Sequence, residues 1–319
     1  MRVVRWIGGF LVLLVLAAAA GLYALSDPDT TRDAMRAAYA SPASQFVTLP
    51  SGAVAHYRDE GNPHGDPLIL IHGSNASLHT WEPWVKILGD QFRVVTVDLP
   101  GHGLTGAVPN GDYSQAGMAA FVAEFATAIG IPQFALGGNS MGGGVSARLA
   151  LMAPERVTKL ILVDAGGLPP KTPADPGLAF TLARMPVAQN VMLYVSPKAL
   201  FDEGLKKAIA DDALVSDAMV TRYWELNRME GTRAATLARF QLPFDPYLEG
   251  HIARITQPTL ILWGEVDTLV PLDVGEAYRD AIPGSRLVVF PGIGHIPMEE
   301  IPAESAAQVR AFLTGAPPA

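Results

Sequence analysis

Seven short apolar runs, each ended by a turn signal, constrain the fold of this chain more than any other feature of its sequence. Most of these runs are continuously apolar instead of alternating, as strands buried on both faces of a sheet require. The segments between them carry the apolar periodicity of helices, so strand and helix alternate along the chain. We therefore predict an α/β fold with a mainly parallel sheet. The predicted strands are residues 53–57, 68–71, 93–97, 134–136, 160–163, 259–263 and 286–290.

The alternation is interrupted once, after Asp164, by a long insertion without strand-like runs. The insertion is rich in helix formers, proline and aromatic residues, whereas a disordered linker would be more charged and less aromatic. We predict that residues 167–252 form a helical cap. This cap is inserted into a single core domain that comprises residues 46–166 and 253–316.

An uncharged run over residues 6–25 follows Arg2 and Arg5 at the start of the chain. Roughly 20 apolar residues at about 1.5 Å each span the ~30 Å core of a bilayer, so we predict a membrane anchor within residues 1–26. The two arginines favour a cytoplasmic N-terminus, which puts the globular domain outside the cytoplasm, in the periplasm or the extracellular space. A cleaved signal peptide, which would give a secreted protein, stays open because small residues lie near the end of the run. Residues 27–45 are interpreted as a spacer.

The charge and the cysteine content of the chain exclude several classes of function. A formal net charge of -8 and a pI near 5.3 leave no basic field for a polyanion. We therefore exclude nucleic acid as a partner and expect a small, neutral molecule as the substrate. The chain has no cysteine, which removes thiolate nucleophiles and Cys-based metal sites together. Any nucleophile must then be an oxygen or a nitrogen.

Residues 138–142, Gly-Asn-Ser-Met-Gly, have the spacing of a nucleophile elbow. They follow the apolar run 134–136 and open a helical stretch, which is the order of strand, tight turn and helix that this motif demands. The turn strains the backbone of Ser140, and the two glycines leave room for it because they lack side chains. The first N–H groups of a helix have no partner within it, so the Met141 N–H can bind a developing oxyanion. Ser140 is thus the predicted nucleophile.

Asp267 and His295 lie in the loops that follow the last two predicted strands. The carboxyl ends of parallel strands meet at one edge of a sheet, where ligands bind in open α/β folds, so these two side chains can converge on Ser140. A neutral serine is a poor nucleophile, but an imidazole can remove its proton and a buried carboxylate can orient that imidazole. We predict that His295 is the general base and that Asp267 orients it. Asp164, at the end of the strand before the insertion, is the alternative acid.

From about residue 45 to residue 315 the chain resembles the α/β-hydrolase superfamily. The resemblance implies an eight-stranded, mostly parallel sheet flanked by helices, with an architectural turn at residues 98–103. It also implies that the loop after the strand at residues 68–71 supplies the second oxyanion donor, for which the Ser74 N–H is the candidate. The motifs that carry the resemblance are His72-Gly73-Ser74, Asp98-Leu99-Pro100-Gly101-His102-Gly103, Gly138-Asn139-Ser140-Met141-Gly142, Trp263-Gly264-Glu265-x-Asp267 and Gly294-His295.

The residue at the elbow indicates the type of reaction. Superfamily members with Asp there open epoxides or displace halide, so Ser140 favours acyl transfer to water. The resemblance then implies a serine hydrolase that cleaves a small or medium apolar carboxylic ester, with no metal or organic cofactor. The elbow is also similar to carbon–carbon hydrolases of the meta-cleavage-product type, but those enzymes have a glycine-rich loop at residues 74–77 and usually Trp at Ile296. A non-catalytic binding protein with the same fold is the third alternative.

Substrate contacts are expected beside the predicted base, beside the oxyanion loop and among the large side chains of the cap, which can line an apolar pocket. The predicted contacts are Asn75, Tyr194, Tyr223, Trp224 and Ile296. Three other acids lie near the predicted site in the sequence. We expect Glu265 to support its loop, and Glu299 and Glu300 to face solvent.

Overall fold

The computed structural model describes residues 26–175 and 177–316, together with Trp6 and Gly21. One sheet forms its centre, with strands β1 Ser44–Thr48, β2 Val54–Gly61, β3 Pro67–Ile71, β4 Arg93–Val97, β5 Phe134–Asn139, β6 Val157–Val163, β7 Thr259–Gly264 and β8 Arg286–Phe290. The strand order is β1-β2-β4-β3-β5-β6-β7-β8. β2 pairs antiparallel with β1 and with β4, and all other neighbours are parallel. The prediction of an α/β fold with a mostly parallel eight-stranded sheet is confirmed.

The edge strand β1 is the one strand of this sheet that the apolar runs did not predict. Its residues, Ser-Gln-Phe-Val-Thr, are exposed or half-buried, so the strand needs no continuous apolar run. It pairs in register with β2, with Phe46 opposite His56. The sheet therefore begins two residues before the predicted core boundary at residue 46.

Helices connect the strands and cover both faces of the sheet. In chain order they are α1 Arg32–Tyr39, α2 Glu82–Leu88, α3 Gln115–Ala128, α4 Met141–Met152, α5 Gly177–Ala183, α6 Ala188–Met192, α7 Lys198–Ala208, α8 Asp217–Asn227, α9 Thr232–Phe240, α10 Tyr247–His251, α11 Leu272–Ala281, α12 Pro297–Glu300 and α13 Pro302–Thr314. Helices α3, α4 and α11 pack on one face and α2 and α13 on the other. Along β3, Ile69 and Ile71 enter the first core and Leu68 and Leu70 the second. This two-sided burial is the reason for the continuous apolar runs.

Six helices, α5 to α10, lie between β6 and β7 and form the cap, in which the structure describes no strand. The cap meets the core at the carboxyl ends of the strands. There the His295 N–H donates to the Ala208 carbonyl at the end of α7 over 2.6 Å. Strand β5 is next to β3 in the sheet, although β4 lies between them in the chain. This reversal of strand order is the point where a crevice opens in an open α/β sheet, and Ser140 follows β5 directly.

The segment predicted as a spacer is bound to the cap, which corrects that interpretation. The Asp27 N–H donates to the Tyr194 carbonyl over 2.9 Å, and the Thr30 N–H to the Arg228 carbonyl over 2.9 Å. Arg233 donates to Asp29 Oδ1 over 2.5 Å. No local pattern predicts this docking, because each partner lies more than 160 residues away in the chain.

The predicted membrane anchor lies outside the described residues, apart from Trp6, Gly21 and Ser26. In the part of the chain that the structure describes, no helix has the length and the apolar composition needed to cross a bilayer. The anchor therefore stays a prediction.

Candidate active site

Ser140 occupies the turn between β5 and α4 in a conformation that non-glycine residues rarely adopt, with φ 53° and ψ -120°. The turn is possible because two glycines flank it. A Cβ at Gly138 would lie 2.2 Å from the Gly142 carbonyl oxygen, and a Cβ at Gly142 would lie 2.5 Å from the Ile71 carbonyl oxygen. The backbone of the elbow thus presses directly against the end of β3. The strain is held by close packing that only these glycines permit.

Two backbone segments flank Ser140 where an oxyanion would form. Met141 is the first residue of α4, so its N–H has no acceptor within the helix. The loop after β3 comes so close that a Cβ at Gly73 would lie 3.0 Å from Ser140 Cβ. Ser74 follows directly and lines the same cavity as Ser140. The predicted donors, Met141 and Ser74, therefore lie on either side of the nucleophile.

His295 Nδ1 lies 2.6 Å from Asp267 Oδ2, and both side chains are buried. Asp267 Oδ1 accepts from the N–H groups of Leu269 and Val270 over 2.8 and 3.1 Å. These bonds fix the carboxylate, so Nδ1 donates to it and Nε2 is left to exchange a proton. His295 and Ser140 line one cavity. The structure thus brings the three predicted triad residues to one edge of the sheet.

The His295 loop is held by two residues to which the sequence analysis gave no such role. Asn139 Nδ2 donates to the His295 carbonyl over 3.0 Å and to the Val163 carbonyl over 3.2 Å. Glu300 accepts from the Gly294 N–H over 3.3 Å and from the Ala210 N–H over 3.0 Å. Glu300 is half-buried, so the expectation that it faces solvent is wrong. The signal that could have found Asn139 is its place inside the elbow motif.

Asp164, the alternative acid, is fully buried next to the Asp267–His295 pair. Its Oδ1 accepts from the Gly264 N–H over 2.8 Å. One side-chain atom from each of Asp164, Asp267 and His295 lies within 4.8 Å of the other two. Burial and, after it, the charge of Asp267 raise the pKa of Asp164 well above its ordinary value, which favours the neutral form of this carboxyl.

The same three residues are the one group with metal-ligand spacing found among the described residues. Their arrangement fits proton transfer better than metal binding. Nδ1 of the imidazole is already bonded to Asp267. A neutral Asp164 would also be a poor ligand, because metals bind the deprotonated carboxylate.

A largely apolar cavity lies above Ser140, between the core and the cap. Of the predicted substrate contacts, Asn75, Tyr223 and Ile296 line it. Most of the wall consists of cap side chains, including Leu178, Phe180, Met192, Phe201, Leu237 and Phe240. This composition suits an uncharged group such as an acyl chain.

The other two predicted contacts, Tyr194 and Trp224, do not belong to the lining of this cavity, and the prediction needs correction there. Tyr194 is 57% exposed. The Trp224 indole donates to the Ser196 carbonyl over 2.7 Å and stacks under the Arg228 guanidinium at 4.2 Å. Trp224 thus serves packing within the cap. An aromatic residue in a helical cap has no sequence signal that separates these roles.

Glu299 is buried, with 7% of its side chain exposed, so the expectation that it faces solvent is also wrong. It accepts from Thr80 Oγ1 over 2.5 Å and from the Tyr223 hydroxyl over 3.0 Å. Arg222 Nη2 lies 3.7 Å away. Burial raises the pKa of Glu299. This network fixes the Tyr223 ring at the wall of the cavity.

Other residues behave as the motifs implied. His72 Nδ1 donates to the Gly73 carbonyl over 2.7 Å and its Nε2 accepts from the Leu99 N–H over 3.0 Å, so it braces the oxyanion loop. Asp98 accepts from the Leu104 N–H over 2.8 Å within the architectural turn. Glu265 accepts from the Gly292 N–H over 3.0 Å and supports its loop.

Comparison with known proteins gives the site a context. Residues 66–302 match the family model described as alpha/beta hydrolase fold. The chain is 29% identical to 2-hydroxy-6-oxo-6-(2'-aminophenyl)hexa-2,4-dienoic acid hydrolase of Metapseudomonas resinovorans, over 85% of this chain and 90% of that protein.

Two solved structures are similar at the level of the fold and the sequence. A membrane phospholipase A, described as a bacterial virulence factor, superposes with a TM-score of 0.72 at 27% identity, covering 99% of both chains. A thermophilic esterase from Thermogutta terrifontis superposes with a TM-score of 0.70 at 27% identity, covering 85% of this chain and 98% of the esterase.

Proposed function

The chain belongs to the α/β-hydrolase fold family, and on this premise we propose that it is a serine hydrolase that cleaves carboxylic esters with an apolar acyl group. One observation carries the proposal. Ser140 and His295 line one largely apolar cavity, and His295 Nδ1 is hydrogen-bonded to Asp267. The likeness to an esterase and to a phospholipase supports the same reaction class.

The reaction follows from the roles of these groups. His295 Nε2 takes the proton of the Ser140 hydroxyl while Oγ attacks the ester carbonyl carbon. The carbonyl oxygen becomes an oxyanion between the N–H groups of Met141 and Ser74. When the ester bond breaks, the imidazolium returns the proton to the leaving alcohol and an acyl-enzyme remains. Water then repeats these steps and releases the carboxylic acid, with Asp267 stabilising the imidazolium each time.

The charges at the cavity favour an uncharged ester over a carboxylic acid. Among the described residues, the two Arg and Lys side chains that line the cavity are paired with carboxylates: Arg233 Nη2 lies 2.5 Å from Asp29, and Lys207 Nζ lies 2.5 Å from Asp175. Neither is left to neutralise a carboxylate on the substrate, and a buried unpaired charge is costly. The second candidate is carbon–carbon bond hydrolysis, which the similarity to the dienoic acid hydrolase favours.

Labelling with a fluorophosphonate probe tests the enzyme itself. We expect the purified protein to be labelled and Ser140→Ala to be unlabelled and inactive. Ser51→Ala is the matched control, because Ser51 is exposed and bonds only to Glu124 on α3 among the contacts described for it. Equal labelling of the wild type and Ser140→Ala would contradict the proposal and favour a non-catalytic binding protein.

A substrate panel separates the two reactions. We expect p-nitrophenyl esters of graded acyl length to be hydrolysed, and a vinylogous diketo acid to be turned over slowly or not at all. Turnover of the diketo acid alone would reverse this order. The acyl length at which kcat/KM peaks would then report the depth of the apolar cavity.

We also propose that the enzyme is attached to a membrane through residues 1–26, with the catalytic domain outside the cytoplasm. The support is the uncharged run 6–25 with Arg2 and Arg5 before it, and the likeness over 99% of the chain to a membrane phospholipase A. Fractionation after expression with intact termini tests this. Recovery in the membrane fraction supports an anchor, and soluble protein beginning near residue 21 or 27 would support a cleaved signal peptide instead.

A further inference from the structure

Large apolar side chains are exposed on one part of the cap. Of the twelve large apolar side chains that are exposed among the described residues, seven lie within residues 178–194 and 242–244. Val187 is 78% exposed and Phe244 is 56% exposed. Together they form what we call the cap face: Leu178, Met185, Val187, Val191, Tyr194, Leu242 and Phe244. Single exposed apolar residues need no explanation, but seven of them grouped on one part of the cap do.

Contacts between the helices bring this group together. The Phe180 ring in α5 packs against the Phe240 ring at the end of α9, with centroids 4.4 Å apart. Gln241 donates to Gln189 in α6 over 2.8 Å. Residues 242 and 244 therefore lie beside α5 and α6. Over residues 177–197 the chain has one charge, Arg184, so this part of the face is nearly uncharged.

The first described residues after the uncharged run lie at the cap face. The Asp27 N–H donates to the carbonyl of Tyr194, a member of the cap face, over 2.9 Å. Asp27 is held there by Arg233, which donates to its carbonyl over 2.7 Å. The uncharged run 6–25 ends two residues earlier. The described chain after this run therefore begins next to the cap face.

The cavity above Ser140 reaches the same surface. Leu178 lines the cavity and is also 46% exposed, so it belongs to the mouth. Met192, the residue after Val191 in the same helix, lines the cavity wall. An apolar molecule that crosses the cap face at Leu178 would meet apolar side chains along the way to Ser140.

We propose that the cap face lies on a lipid bilayer and that the cavity takes its substrate, an acyl ester of a membrane lipid, directly from it. The inference rests on the proposed function, since it needs both the ester hydrolase and the anchor. A bilayer explains why the exposed apolar side chains, the mouth of the cavity and the end of the uncharged run lie together. Residues 177–197 of the face carry no acidic side chain, which suits contact with anionic lipid because acidic side chains would be repelled by it.

The chain has no native cysteine, so single cysteines can carry a polarity-sensitive fluorophore. The full chain with Ser140→Ala, which leaves the lipid intact, is reconstituted into vesicles of phosphatidylethanolamine and phosphatidylglycerol. Val187→Cys carries the label on the cap face. Met152→Cys is the matched control, because Met152 is also exposed and apolar but lies at the far end of α4 from the elbow. A nitroxide on the lipid chains should quench the Val187 label and leave the Met152 label bright.

Each other result overturns the inference in a distinct way. Protein that pellets with vesicles but shows a label at Val187 as water-exposed as the control would leave the anchor standing and contradict the cap face. A blue-shifted Val187 label that lipid nitroxide cannot quench would mean that protein covers the face, either a second copy or residues 6–25. Protein that does not associate with vesicles would contradict the anchor and the cap face together. None of these readouts depends on hydrolysis.

Activity gives a second, independent measurement. With the wild-type serine, Val187→Glu should lower the hydrolysis of vesicle-borne esters about tenfold, since it replaces a bilayer contact by a charge. Val187 does not line the cavity, so turnover of a soluble p-nitrophenyl ester should stay unchanged. An equal loss on both substrates would contradict the inference.

Discussion

Arg239 Nη2 donates a hydrogen bond to Ser74 Oγ over 2.6 Å, and this bond joins helix α9 of the cap to the oxyanion loop of the core. A second cap residue acts on the same loop, since Asn227 Nδ2 donates to the Asn75 carbonyl over 2.7 Å. Asn75 has φ 59°, a conformation that needs support from outside the loop. The cap therefore holds in place the segment that carries the second oxyanion donor.

We expect Arg239→Met to lower kcat about tenfold with little change in KM. The Ser74 N–H would lose its fixed position, and full loss of an oxyanion donor costs about 10²–10³ in kcat. Labelling of Ser140 by a fluorophosphonate should slow in parallel, and Arg239→Lys should recover part of the rate.

The matched control is Arg148→Met. Arg148 also joins core and cap, 3.2 Å from Asp245, but away from the oxyanion loop. Its kcat should match the wild type. If Arg239→Met raised KM alone, Arg239 would be a substrate contact instead of a positioning residue.

The two buried acids should differ sharply when each is replaced. Asp267→Asn should lower kcat by several powers of ten, up to about 10⁴, because His295 loses the partner that sets its tautomer. Asp164→Asn should change kcat by less than about threefold, because the amide can keep the bond from Gly264 and resembles the neutral acid.

The double variant tests whether Asp164 substitutes for Asp267. Asp164 lies within 4.8 Å of the imidazole, so it should supply part of the residual rate of Asp267→Asn, and the double variant should be slower still. Circular dichroism spectra should be the same for all variants. A larger loss in Asp164→Asn than in Asp267→Asn would make Asp164 the triad acid.

The free energy of unfolding should decrease as the pH is lowered, because of His79. Burial lowers the pKa of His79 to about 4 from an ordinary value of 6.5, and Arg58 Nη2 donates to its Nε2 over 3.0 Å. The neutral imidazole therefore contributes stability that is fully present above pH 6.5 and is lost as the pH falls toward 4. The contribution of His79 to the loss in free energy of unfolding between pH 7 and pH 4.5 is about 2 kcal/mol. The charged groups around it are Arg58, Glu82, Asp98 and Arg222.

Chemical denaturation at the two pH values measures this loss. His79→Gln keeps an acceptor for Arg58 and should reduce the difference between the two free energies. His64→Gln, at an exposed position, should leave the difference as in the wild type. Burial also lowers the pKa of His72 and His102, so a smaller pH dependence should persist in His79→Gln.

Sequence patterns that span only a few residues predicted most strands of the sheet and the turn at Ser140. The apolar runs marked the strands because both faces of β3 and its neighbours are buried, and the glycines of 138–142 marked the turn because a Cβ there would clash. The edge strand β1 was not predicted. Its residues are exposed or half-buried, so it does not need the continuous apolar run by which the other strands were recognised. Glu299 was expected to face solvent because it is charged. It is buried because Thr80 and Tyr223 donate hydrogen bonds to it, and both are distant from it in the sequence.

The sequence by itself determined the fold class, the strained serine and the order of the three polar residues that follow strands. Only the tertiary structure decided that Asp164 lies beside Asp267, because that contact requires β6 and β7 to be neighbours in the sheet. It also decided that Arg239 supports Ser74, that Trp224 packs within the cap, and that residue 27 docks at Tyr194. Strand burial and turn geometry are set by residues a few positions apart, whereas the orientation of a helical cap on a sheet is set by contacts across the whole chain.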